Sequence, residues 1–331
     1  MKKLSIRNIL VPTDFSKMSI QVIEPAKWLA GRFAAAIHLV HVYESGYQAG
    51  LVVPAPPFSL TPYEQEAKER VGGALNALAH KYGVPAVRCH VLSGTPAFNE
   101  ICGLAGEIRT DLIVMPTHGR TGLEHMFLGS TAERTVRHSP CPVFVMRQRG
   151  DGVSEKKAGY KKILVPVDFS GCSREGLRYA IRFAGRFAAK LVVLHVVSLP
   201  YSYSGELYGV HQPPLLAGDA RKGAVRRMQK FLQTIELGGV KVQTAITMGS
   251  PVREICSFAA NKDINLIITS THGLSGLKHV STGSIAEQVV RHASCPVLVV
   301  PSHPKIRLAK LPKRGRRKTR AMTSPRRQPR K

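Results

Sequence analysis

Two short stretches place a carboxylate, glycines and hydroxyls where a phosphorylated ligand needs them. "ILVPTDFS" (9–16) carries Asp14, and "THGRTGLEHMFLGST" (117–131) carries Gly119, Gly122 and the run Gly129-Ser130-Thr131. Gly119 and Gly122 let a backbone turn tightly and approach a ligand with no Cβ in the way. Gly129-Ser130-Thr131 opens a helix-like run. A helix start presents unpaired N–H groups and the positive end of a dipole, which suits a phosphate. Ser130 and Thr131 add hydroxyls. Asp14 would repel a phosphate, so its sensible partner is a sugar hydroxyl or a base amine. His118 lies beside the presumed phosphates, where it either assists proton transfer or braces its loop through a hydrogen bond. The same residue types are also ordinary turn and cap residues, and Asp14 with Ser16 could simply start a helix. Neither GxxxxGK[ST] nor a clear GxGxxG is present.

The pattern is written twice, 154 positions apart. "ILVPVDFS" (163–170) carries Asp168, and "THGLSGLKHVSTGSI" (271–285) carries His272, Gly273, Gly283, Ser284 and Ile285. The same offset relates "AGRFAA" at Ala30 and Ala184, His41-Val42 and His195-Val196, and "VRH" at Val136 and Val290. One residue of slip separates "GTPAFNEIC" from Gly94 and "GSPVREIC" from Gly249. A period of this length means two tandem domains and not a solenoid. The copies differ where Arg120 becomes Leu274 and Thr131 becomes Ile285, so the first half is expected to bind phosphates more tightly. No nucleophile–base–acid set recurs, and no repeated carboxylate pair marks a metal site. The expectation is a nucleotide-dependent switch or sensor with slow hydrolysis at most, not a dedicated enzyme.

These residues need elements to hold them. In the first half, strand-like runs cover 6–11, 37–43, 86–92, 111–115 and 142–146. Helix-like runs cover 16 to about 35, 61–82, 96–108 and 130–138. A Pro/Gly-rich loop spans 44–60, and the second half repeats the order over 160–300. Strands alternating with helices predict βαβ units and a parallel sheet with helices on both faces. In such a sheet ligands bind beyond the carboxyl ends of the strands, where the strand order switches. The first strand ends there at Pro12 and Asp14, or Pro166 and Asp168. The second ends at Val42, or Val196. The fourth ends at Met115, Pro116 and Thr117-His118-Gly119, or at Ser270 and Thr271-His272-Gly273. The predicted boundaries are 1–147, a linker at 148–159, a second domain at 160–301 and a tail at 302–331.

Composition sets the outer limits. The chain has 331 residues, 44% of them hydrophobic, and no apolar run approaches the ~20 residues of a membrane span. "MKKLSIRNILVPTDF" has too short an apolar stretch for a secretory signal, so a cytoplasmic protein is expected. The six cysteines form no CxxC. Cys102 matches Cys256 and Cys141 matches Cys295 at the repeat offset, which favours packing over metal or redox work. The formal charge is +27, and residues 302–331 hold 13 Lys or Arg with no Asp or Glu. Such a tail is expected to be disordered. It either binds nucleic-acid phosphates without sequence preference or simply keeps the chain in solution. It carries no amphipathic anchor for a lipid surface.

The chain resembles the universal stress protein family, of the UspA type, in a tandem two-domain form covering about 6–145 and 160–300. The ATP-binding branch of that family carries Gly-x-x-Gly, nine residues, then Gly-Ser/Thr. Here Gly119 precedes Gly129-Ser130 by that spacing, and Gly273 precedes Gly283-Ser284. The leading glycine is replaced by Pro116 and Ser270. The resemblance implies two Rossmann-like domains of the adenine nucleotide alpha hydrolase-like kind, each with a five-stranded parallel sheet. It implies ATP or another adenine nucleotide, accompanied by Mg2+. It implies a nucleotide contact by Asp14 and Asp168 and adenine contacts by the backbone at Val42 and Val196. It also implies pairing through the closing strands, "CPVFVM" and "CPVLVV", either within one chain or in a homodimer.

Overall fold

The computed structural model describes residues 3–43, 61–84, 87–119, 128–147, 159–198, 214–271 and 285–302. The linker, apart from Gly159, and the tail beyond residue 302 lie outside them. The first half runs β1 (Asn8–Pro12), α1 (Lys17–Gln21), α2 (Ile23–Phe33), β2 (Ala36–Tyr43), α3 (Thr61–Lys81), β3 (Arg88–Ser93), α4 (Ala97–Glu107), β4 (Leu112–Pro116), α5 (Ser130–His138) and β5 (Val143–Met146). The second half runs β6 (Lys162–Pro166), α6 (Gly171–Phe187), β7 (Lys190–Val197), α7 (Pro214–Gln233), β8 (Val242–Met248), α8 (Pro251–Asn261), β9 (Leu266–Ser270), α9 (Ile285–His292) and β10 (Val297–Val300).

Each half is a five-stranded parallel sheet. The two join edge to edge into one ten-stranded sheet of order β3-β2-β1-β4-β5-β10-β9-β6-β7-β8. The joint is the antiparallel pair β5·β10, in which Phe144 stands opposite Leu298. Since 298 minus 144 is 154, Phe144 faces its own repeat equivalent, and a local twofold axis passes between the two. Side chains alternate across the sheet, as a strand's period of two requires. Ile9, Val11, Leu112 and Val114 enter one core with Leu29, Leu75, Leu177 and Met228 from α2, α3, α6 and α7. Leu10, Ile113 and Met115 enter the other with Ile101, Val136, Ile255 and Val289 from α4, α5, α8 and α9. Both cores draw residues from both halves.

One expected helix is two. The run after Ser16 breaks at Val22, between α1 and α2. Pro25 lacks the N–H that would bond to the carbonyl of Gln21, and its ring crowds that carbonyl. The equivalent position in the second half is Tyr179, and there α6 runs unbroken for 17 residues.

The halves are tied on both faces. Arg137 on α5 holds Glu287 on α9 through Nε (2.9 Å) and Nη2 (3.0 Å), and Arg291 reaches Glu133 at 3.5 Å. These are the same residue pair exchanged across the local twofold. On the opposite face Trp28 stacks on Phe187 (5.4 Å, 16°), and Phe33 meets Phe183 at 6.2 Å. All six cysteines are free thiols. Burial pushes Cys102 and Cys256 up to about 11 and Cys141 up to about 12, which leaves them protonated packing groups. No helix among the described residues is long and apolar enough to cross a membrane.

Candidate functional site

The order β3-β2-β1-β4-β5 reverses between β1 and β4, so the crevice at their carboxyl ends is the switch point of the first half. Backbone pairing runs one residue past β1, with Thr13 N donating to Val40 O (2.8 Å). The chain then turns through Phe15, whose φ of 61° is a left-handed value that bulky residues rarely take. Three contacts hold that turn. His41 Nδ1 donates to Thr13 O (2.8 Å), the His41 ring packs on Phe15 (4.7 Å), and Asp14 Oδ1 accepts from Ser16 N (3.0 Å). Ser16 then caps α1 by accepting from Ser19 N.

Asp14 Oδ2 is turned to the loop after β4. A methyl group added at Gly119 would stand 2.5 Å from it, closer than real carbon atoms approach. Gly129 closes the same loop from the other side. Its N–H donates to Thr117 O (2.9 Å), and an added Cβ would lie 3.3 Å from that oxygen. Gly129 is the N-cap of α5 and has no side chain to cap it, so among the described residues the first amides of Ser130 and Thr131 have no side-chain cap. The structure therefore brings together Pro12, Asp14, Met115, Pro116, His118, Gly119, Gly129, Ser130 and Thr131, with Val42 next in the sheet at the end of β2. Ser130 is exposed and Thr131 half-buried. Arg120 lies outside the described residues.

His118 Nδ1 lies 3.0 Å from Thr117 Oγ1, while its Nε2 is sheltered with no partner among the described residues. Burial and then the charge of Arg147 hold its pKa below the usual value, so the ring is neutral at pH 7. Arg147 donates through Nη1 to Arg291 O (3.0 Å) and Ala293 O (3.1 Å), the carbonyl end of α9. The first crevice is thus braced by the second half. The reverse contact is missing, because the position equivalent to Arg147 is Pro301.

The second half repeats the turn. Val167 N donates to Leu194 O (2.8 Å), Phe169 has φ 66°, His195 Nδ1 donates to Val167 O (2.8 Å), and Asp168 Oδ1 accepts from Ser170 N (3.0 Å). Pro166, Asp168, Val196 and Ser270 meet at the same switch point, and Ile285 is the exposed first residue of α9. His272, Gly273, Gly283 and Ser284 lie outside the described residues.

The model of the universal stress protein family matches residues 5–147 and again 159–301. The chain belongs to the universal stress protein family. Among its relatives, universal stress protein MJ0531 of Methanocaldococcus jannaschii is 37% identical over 147 residues, 43% of this chain and 82% of its own length. Universal stress protein YxiE of Bacillus subtilis is 29% identical over 146 residues, 43% of this chain and 99% of its own length. A universal stress protein from Archaeoglobus fulgidus shares the fold across both halves at a TM-score of 0.63 and 20% identity, covering 90% of this chain and 97% of that one.

Two site residues carry no local sequence signal as ligand groups. His41 and His195 fix the turns that carry the aspartates, and only their recurrence at the repeat offset marks them. Arg147 is visible only once α9 is known to end beside it. Among the described residues no cluster of three or more His, Cys, Asp or Glu is arranged to hold a metal ion.

Proposed function

We propose that this universal stress protein binds an adenine nucleotide at the switch point of each half, ATP with Mg2+ foremost, and acts as a nucleotide-dependent switch. The observation that carries the reading is the convergence of Asp14, Gly119 and Gly129 on one crevice. A Cβ at Gly119 would collide with Asp14 Oδ2, and Gly129, the N-cap of the helix behind it, has no side chain to cap that helix. Asp14 Oδ1 already serves the turn, so the carboxylate is held in place for a ribose hydroxyl. The backbone at Val42 would meet the adenine edge. The amides of Gly119 and of Gly129–Thr131 would face the phosphates, and a neutral His118 adds no charge to them. The spacing from Gly119 to Gly129-Ser130, and from Gly273 to Gly283-Ser284, supports the same reading. Pro116 and Ser270 depart from the family motif. When bound, the nucleotide supplies a phosphate chain whose length distinguishes the two states of a switch.

The test is native mass spectrometry of freshly purified protein, followed by acid release of any small molecule. Two adenine nucleotides per chain support both sites. One supports a tighter first site, as the replacement of Arg120 and Thr131 by Leu274 and Ile285 suggests. None, together with no heat of binding on adding Mg-ATP, overturns the reading and leaves the loops as turn structure.

A further inference from the structure

The second half carries an arginine stripe that the first half lacks. On α6, Arg174, Arg178, Arg182 and Arg186 recur every fourth residue. The buried side of that helix is held by Leu177, Ala180 and Ala184, so the stripe lies on its outer face. The first-half equivalents are Ile20, Glu24, Trp28 and Arg32. Helix α7 packs into the same core through Met228 and Phe231, with Ala224 also buried. Its other sides carry Arg221, Lys222, Arg226, Arg227 and Lys230, all exposed. Together the two helices hold nine cations and two carboxylates, Glu175 and Asp219, a net of +7. The corresponding helices of the first half, α1 to α3, hold six cations and four carboxylates, a net of +2.

The geometry fixes part of this charge in place. At the junction of the two helices Arg174 lies over Phe231 (5.5 Å) and Arg227 over Phe169 (5.5 Å), while the two rings meet edge to face at 5.5 Å. Guanidinium groups seated on aromatic rings lose less freedom when they bind an anion. Arg174 and Arg182 each keep a sheltered Nε with no acceptor among the described residues. The acids neutralise little of the charge: Glu175 takes Arg178 at 2.5 Å, and the Asp219–Lys222 pair spans 3.8 Å with both side chains about three-quarters exposed. Arg186 is already engaged with Arg32 O and stands apart from the rest.

We infer that the outer face of α6 and α7 is a docking surface for the phosphate backbone of duplex nucleic acid. A step of four residues rises about 6 Å along a helix. Phosphates of one strand follow each other at about 3.4 Å along the duplex axis. With the turn of the strand between them, neighbouring phosphates lie about 7 Å apart in space, so successive arginines fall near successive phosphates of one strand. The aromatic rings at the junction are covered by guanidinium groups, so the face offers phosphate contacts and no base stacking, and binding is independent of sequence. This surface is separate from the basic tail and from the first nucleotide crevice, and it borders the second through Phe169.

The test uses the full chain, tail included, and a short DNA duplex of mixed sequence, with affinity measured across a salt series. R174Q/R178Q/R182Q is expected to lower the affinity at least tenfold in low salt. It should flatten the plot of log affinity against log salt by about 2 to 3, at about 0.9 for each phosphate that is no longer neutralised. K222Q/R226Q/K230Q, confined to exposed positions of α7, should act in the same direction and serves if the α6 variant unfolds. Lys68→Gln with Arg70→Gln on α3 should change nothing. Mg-ATP binding at the first crevice should be unaffected by either set. An affinity and slope untouched by both sets would place all binding elsewhere, in the tail above all, and overturn the inference. Binding to phosphatidylserine vesicles with none to the duplex would overturn it in favour of a membrane surface.

Discussion

Gly119 is the residue on which the first crevice turns, because its missing Cβ leaves the space that Asp14 Oδ2 fills. The carboxylate cannot simply swing away, since Oδ1 is bonded to Ser16 N within a left-handed turn. Gly119→Ala is therefore expected to weaken adenine-nucleotide binding at least tenfold, about 1.4 kcal/mol, in titration calorimetry. Gly103→Ala provides the contrast: it lies inside α4, its added methyl meets nothing within 4 Å, and it should stabilise the fold by about 0.5–1 kcal/mol. A second residue-scale effect belongs to His38. It is 1% exposed on β2, with Nδ1 2.9 Å from His90 Nε2, and no equivalent pair exists in the second half, where Val192 takes its place. Burial, then His90 and Arg88, lower its pKa from 6.5 to about 4. His90 is also lowered, by burial first, with Glu107 opposing and Arg88 adding to the shift. Between these values the unfolded chain takes up a proton that the folded chain refuses. Stability is thus complete above pH 6.5 and falls as pH drops towards 4, by up to about 3 kcal/mol. His38→Val should remove most of that acid sensitivity, read as a smaller loss of Tm between neutral pH and about pH 4.5. An unchanged loss would assign the effect to other groups.

Between elements, the reciprocal ion pairs join the helices that start at the two crevices. Glu287 has a side chain only 6% exposed and is held by both Arg137 nitrogens. Arg137→Ala would leave that carboxylate buried without its main partner. Arg137 is itself 47% exposed, so the cost is set below the usual range for a buried pair, at about 2 kcal/mol. Adding Glu287→Gln to the same chain removes the buried charge and should recover at least half of the loss in denaturant unfolding. No recovery would mean that Arg137 acts through packing instead. The order of these elements was legible in the sequence, because apolar strand runs and helical spacing alternate strongly and do so twice. The break at Val22 also had a signal, Pro25, which a helical reading of 16 to about 35 passes over. The antiparallel joint was implied only by the family resemblance, which left open whether it forms within one chain or between two. β5 and β10 are apolar on both faces, and nothing local tells a strand whether its free edge meets water, a second chain or its own repeat. The aspartates and glycines of the site were legible from their types and spacing. The histidines that hold the aspartate turns were not, because a buried His bonded to a carbonyl looks in sequence like any other polar residue in a strand.

For the whole molecule the question is whether two tandem halves behave as two units or one. Three layers cross the boundary: the ion pairs on one face, the β5·β10 ladder in the sheet, and an aromatic seam on the other face. In that seam Trp28 stacks on Phe187, meets Tyr160 edge-on at 5.6 Å, and continues under the joint through Tyr160 and Phe144 at 5.6 Å. Both cores span both halves, so neither half can unfold without exposing apolar surface of the other, and a single cooperative transition is expected. The chain has one tryptophan, and it sits in this seam, so its fluorescence reports the boundary while far-ultraviolet circular dichroism reports all helices. In the natural sequence the two signals should change together along a denaturant series. Phe187→Ala removes the stacked ring and should cost about 2–3 kcal/mol. It should also shift the tryptophan change to lower denaturant than the loss of helix, as the seam opens first. Tryptophan and helix signals already separated in the natural sequence would show that the halves unfold independently and that the seam contributes little to holding them together.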